Sequence, residues 1–109
     1  MTKTESFENV ALELRRGIIV LATLSQLGAE EYGYSLLKKL ADLGLEVDQG
    51  TLYPLLRRLE TQGLLESAWK LGESRPRRYY VISAEGKKLL PKLKKEWAGI
   101  VSVMDKMLA

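Results

Sequence analysis

The chain's sequence predicts a mainly α fold with a small β part: a winged helix-turn-helix followed by a long C-terminal dimerisation helix. Three observations predict it. Three segments repeat apolar residues at spacings of three and four, with a short link between the second and third. An aromatic and β-branched pattern around a turn-forming loop follows at once. The last segment carries a heptad seam. Residues 1–83 are expected to form the head and 84–109 the terminal helix, in one continuous domain.

The first segment, about Phe7 to Leu27, places Val10, Leu14, Ile18, Leu21 and Leu24 on one stripe, with Gly28 as terminator. Leu12, Ile19 and Val20 widen that stripe, as in a helix that is central or shared with a second subunit. The second segment, about Tyr32 to Leu43, stacks Leu36, Leu37, Leu40 and Leu43, and Gly44 ends it. Asp48 is a good N-cap for the third, where Leu52, Leu55, Leu56 and Leu59 follow the i, i+3, i+4, i+7 rule. Gly63 closes it, and Pro54 near its start sacrifices little backbone bonding.

The period then changes. Leu64–Lys70 and Arg77–Ser83 read as strands, joined by a turn from Leu71 through Glu73 to Pro76. Trp69 is expected to pack the wing root. Tyr79 and Tyr80 should alternate across their strand, one inward and one free. Ser83 should cap the last helix, with Glu85 in its first turn and Pro91 kinking it. Leu90, Leu93, Trp97, Ile100, Met104 and Met107 are spaced 3, 4, 3, 4, 3.

Composition removes much of enzyme space. The 109 residues hold no cysteine and no histidine, so thiolate sites, cysteine nucleophiles and the commonest general base and zinc ligand are absent. No catalytic residue, metal site or cofactor is expected. The start of the chain shows no basic-then-apolar leader, and Gly17–Leu24 is too short to span a bilayer, so a cytoplasmic location without membrane contact is expected.

Charge is uneven. Residues 1–48 carry five basic and eight acidic groups, whereas residues 49–80 carry six and three, as do residues 81–109. With its leucines turned inward, the third helix would offer Gln49, Gly50, Thr51, Tyr53, Pro54, Arg57, Arg58 and Thr61 outward. Hydroxyls and helix N-terminal amides bind phosphate, and arginine binds phosphate or the guanine edge. A solvated face is the plainer reading of such a helix. The wing adds Lys70, Arg75, Arg77 and Arg78, opposed only by Glu73, and arginines at such a tip suit a phosphate backbone or narrow minor groove. The two elements lie side by side in this fold, so their charges add on one face. Double-stranded DNA is the expected partner; a winged-helix protein–protein interaction module is the alternative.

Several segments resemble the PadR-like family of bacterial transcriptional regulators. They are Arg15-Arg16-Gly17-Ile18-Ile19, Tyr32-Gly33-Tyr34-Ser35-Leu36-Leu37 and, most specifically, the run from Gly50-Thr51-Leu52-Tyr53-Pro54 to Glu60. Gly63-Leu64-Leu65, Arg77-Arg78-Tyr79-Tyr80 and Ser83-Ala84-Glu85-Gly86 follow, so the match covers about residues 14–90. The resemblance implies a dimeric repressor with two winged heads on an inverted-repeat operator. Thr51 and Tyr53 fall on positions that approach phosphates, Arg57 and Arg58 on basic positions, and the wing arginines on a minor-groove arm. Tyr34 joins these as a DNA-binding residue.

A single terminal helix fits the small subclass, which dimerises through that helix and helix one. In some small members a tryptophan there lines a cavity at the dimer centre and stacks on flat apolar compounds, as multidrug-responsive regulators do. Trp97 resembles that residue; a plain packing anchor is the other reading. Independently of any resemblance, a heptad seam bearing Trp97 should not stay wet in so small a chain, and a second copy across a two-fold axis would cover it.

Overall fold

The computed structural model describes residues 2–72 and 74–109; Glu73, the acidic residue of the wing turn, and Met1 lie outside the described residues. The elements run α1 (Lys3–Ser25), β1 (Glu31–Tyr32), α2 (Gly33–Asp42), α3 (Gln49–Thr61), β2 (Leu65–Leu71), β3 (Pro76–Ile82) and α4 (Ala84–Leu108). This is the winged helix-turn-helix, with a three-stranded antiparallel sheet ordered β1-β3-β2.

The apolar stripes converge as their spacing requires. Leu52, Leu55, Leu56 and Leu59 of α3 are buried with Leu36 and Leu40 of α2, Ile19 and Leu24 of α1, and Leu65, Tyr80 and Ile82 of the sheet. Each fully buried leucine contributes about 1.5–3 kcal/mol relative to an exposed one. Four such residues on α3 fix which way its opposite side points.

The caps hold the ends. Asp48 Oδ1 accepts from the Thr51 N–H at 2.7 Å, and Ser83 Oγ accepts from the Gly86 N–H at 3.0 Å. Gly44 and Gly63 sit at φ 105° and 80°, the left-handed conformation that ends a helix without a Cβ penalty. Backbone bonds tie wing to body: Ile82 N–H donates to Leu27 O at 2.8 Å and Ser83 N–H to Leu64 O at 3.0 Å. The Ser83 hydroxyl also donates to Gly63 O at 2.6 Å. One node therefore joins the end of α1, the wing root and the start of α4.

Several sequence expectations need adjusting, and the structure adds a short strand. α1 starts at Lys3 rather than near Phe7, because Thr2 and Glu5 form a reciprocal capping box ahead of the apolar stripe. The hairpin strands sit one residue away from the expected bounds, in a register pairing Leu65 with Ile82 and Leu71 with Pro76. β1 has only two residues, pairing Glu31 with Tyr80 and Tyr32 with Tyr79, and so leaves no periodic signature. Tyr80 is buried as one of the two alternating tyrosines should be, but Tyr79 is not free: its ring meets Tyr32 edge-on at 5.4 Å. α4 runs through Pro91 to Leu108.

Candidate nucleic-acid interface

Because the leucine side of α3 is buried, Arg57 and Arg58 stand exposed on its other side. The wing runs alongside. Tyr34 of α2, Tyr53 and Arg57 of α3, and Trp69, Arg75, Arg77 and Arg78 of the wing line one open cleft of about 370 Å³. The helix-three flank and the cationic finger thus share a face.

Tyr53 is positioned by a close fit. Its ring lies so near Gly33 that a Cβ there would come within 2.5 Å of it, so the glycine between Tyr32 and Tyr34 makes room for the Tyr53 ring. Tyr34 itself is 59% exposed. Thr51, Gln49 and Pro54 lie on the first turns of α3, outside the cleft lining, with Gln49 and Pro54 exposed. Thr51 instead borders a shallow hollow with Arg15 and Asp48. Hydrogen bonds from the Thr51 hydroxyl and N–H hold the Asp48 carboxyl below its ordinary value, and a negative charge suits the α3 N-terminus.

The basic residues fall into two groups. Arg57, Arg58 and Arg75 make no ion pair among the described residues and point outward. The other three are held by the protein. Arg78 pairs with Glu60 at 2.8 Å and donates from Nε to Ser67 Oγ at 2.9 Å, while Ser67 in turn donates to Glu60. Its guanidinium also lies 5.6 Å from the centre of the Tyr80 ring. Burial pushes the Tyr80 phenol above its ordinary value, with Arg78 opposing. Arg77 lies over the Tyr32 ring at 4.3 Å, and its buried Nε has no hydrogen-bond partner among the described residues. Lys70 pairs with Glu30 and reaches over Tyr79 at 5.7 Å. All three are wing residues read from the sequence simply as cations.

Glu60 and Tyr32 therefore enter the site although sequence reasoning gave them no role there. Each lies within a motif block, but the pairing with a strand about twenty or more residues away has no local signature. Trp69 corrects an expectation outright. It does not pack the wing root; it is 68% exposed and lines the cleft.

A second surface lies between α1 and α4. Leu14, Ile18 and Leu21 of α1 face Leu93, Trp97, Ile100 and Met104 of α4 across a mainly apolar groove of about 580 Å³. Of the expected seam, Leu90 and Leu93 pack against this chain's own core, whereas Trp97, Ile100, Met104 and Met107 stay exposed. No helix of the described residues is long and apolar enough to cross a membrane.

Comparison with known proteins matches residues 20–92 to the transcriptional regulator PadR-like family. The chain belongs to the PadR-like family. A PadR family transcriptional regulator from Eggerthella lenta is 45% identical, with a TM-score of 0.87 over 96% of this chain and 94% of that one. A transcriptional regulator from Clostridium thermocellum is 30% identical at a TM-score of 0.80, covering 89% of this chain and 99% of the other. A transcriptional regulator of Mycobacterium tuberculosis is 37% identical over 79 residues, 72% of this chain and 74% of that protein. This PadR-like chain is accordingly a transcriptional regulator and not an enzyme.

Proposed function

We propose that the chain is a dimeric repressor that grips an inverted-repeat operator with two copies of the α3–wing face. The single observation that carries this is the shared cleft: Tyr53 and Arg57 of α3 and Arg75 of the wing line one space. Outward guanidinium groups there neutralise phosphates or read guanine edges, and the wing follows the adjacent backbone. Gln49, Thr51 and Pro54 at the tip of α3 approach the major groove, with Tyr34 and Arg58 beside them. Lys70, Arg77 and Arg78 stiffen the wing through their internal partners and add to its positive potential.

The exposed groove between α1 and α4 supports the dimer. Trp97, Ile100, Met104 and Met107 leave a large apolar area in water, and a second copy related by a two-fold axis covers it. Two heads then meet half-sites about 34 Å apart. Trp97 is 41% exposed on the wall of that groove, with Ile100 and Met104 following it along α4. A flat apolar or aromatic ligand stacking there would alter the spacing of the heads and release the DNA.

The test is binding to the DNA immediately upstream of the chain's own gene, with particle mass measured in the same solution. Two chains bound per inverted repeat support the proposal. A monomer with no affinity for duplex overturns it and favours a protein-interaction module.

A further inference from the structure

We propose that Trp69 is a DNA-contacting residue of the wing, its indole lying flat against the deoxyribose wall of the duplex beside the cationic tip. The proposal rests on the reading of the α3–wing face as the DNA-binding surface and adds to it a contact that is not electrostatic.

The reason lies in the register of the hairpin. Paired residues on antiparallel strands point to the same side of a sheet. Leu65 pairs with Ile82, Ser67 with Tyr80 and Trp69 with Arg78, so all six share one face. At the root of the wing that face is core: Leu65, Tyr80 and Ile82 are buried. One step outward Ser67 donates to Glu60 of α3, and Glu60 also takes the guanidinium of Arg78, the residue opposite Trp69. At Trp69 the body of the domain has ended, and the same face continues into open space at 68% exposure.

That overhang lines the cleft shared with Arg57, Tyr53 and Arg75. The indole offers a large, rigid apolar surface with few rotatable bonds, placed on the same face as the exposed guanidinium groups, where a partner drawn by those charges would cover it. The surrounding guanidinium groups select a polyanion. Bases inside a duplex are stacked and closed to an indole, whereas the sugars present flat apolar surface along the groove walls between the phosphates. The occupant is therefore duplex DNA, and the indole supplies apolar contact where the arginines supply charge.

The experiment uses the full chain and a labelled duplex of about 30 base pairs, long enough for two half-sites. Affinity is read at several salt concentrations for the parent chain, Trp69→Ala, Trp69→Phe and Arg75→Ala. Trp69→Ala is expected to weaken binding about tenfold, the order expected when part of an apolar side chain is no longer covered. Its log–log salt slope should stay at the parent value, and Trp69→Phe should recover most of the affinity. Arg75→Ala should instead reduce the slope by about one. Matching thermal melts for the Trp69 variants show that the fold is intact.

Tryptophan emission of the parent chain should change when duplex is added, and that change should be lost in Trp69→Phe, which keeps Trp97 and the seam intact. Parent-like affinity in Trp69→Ala, or a full emission change retained in Trp69→Phe, overturns the proposal. Failure of the parent chain to bind duplex overturns the DNA reading of the whole face, a different result from either.

Discussion

The α3–wing face and the α1–α4 face are both exposed, yet they differ in how far one chain completes them. On the first, side chains are already in position. Gly33 makes room for Tyr53, Glu60 and Ser67 hold Arg78, and Tyr32 carries Arg77. The guanidinium groups offered outward need only a polyanion. On the second, Trp97, Ile100 and Met104 line an open groove and remain in water. The contrast separates two kinds of exposure. Exposed cations are stable in water and await a ligand, whereas an exposed apolar stripe on a helix is unfavourable until another surface covers it.

That contrast can be broken experimentally, and the largest effect is expected at the apolar face. Ile100→Asp puts a charge into the seam while leaving the head's core untouched. It should turn a dimer into a monomer by light scattering and weaken duplex binding a hundredfold or more, since two linked heads lose their shared attachment (order of magnitude from linked binding modules). A dimer persisting in this variant would move the interface elsewhere.

Next comes the cationic face. Arg57→Ala with Arg75→Ala should weaken duplex binding by roughly 10- to 100-fold near physiological salt and reduce the log–log salt slope by about two, with particle mass unchanged. Unchanged affinity would show that α3 and the wing are not the reading head. A smaller effect is expected for Trp97→Ala: planar dyes should lose about tenfold in affinity, measured by dye fluorescence, as an aromatic stacking partner is removed. Full retention of dye binding would leave Trp97 as a packing anchor.

The smallest effect concerns Asp48. Its folded-state carboxyl is held below the ordinary value of 3.8 by the Thr51 hydroxyl and by the bond from the Thr51 N–H. Protonation takes away the charge that strengthens that bond, so the charge-assisted part of the stabilisation is complete above the ordinary value and drains as pH falls through the lowered one. Thermal melts should show Asp48→Ala less stable than the parent at neutral pH, with the difference shrinking at the acid end. Asp48→Asn should stay close to the parent, because its side-chain oxygen still accepts the bond.

Much of the fold was legible because most elements announce themselves locally. The leucine stripes, Asp48, Ser83 and the terminating glycines are signals read within a turn or two. The capping box of Thr2 and Glu5 was equally local and simply lay ahead of the apolar pattern. What stayed hidden depends on distance along the chain. β1 is a pair of residues defined by strand β3. The Glu60–Arg78 pair joins a helix to a strand. Trp69 shows the limit most clearly: its alternation correctly marks the core-facing side of the wing, but alternation does not say where the core stops. Only the length of the hairpin relative to α3 turns that side into open surface.

The central claim is that α3 and the wing form one cationic surface that binds duplex DNA. The most direct measurement is the affinity of the parent chain for duplex across a range of salt concentrations. With roughly six phosphates neutralised, log affinity should fall against log salt with a slope near −5. A flat dependence would contradict the claim.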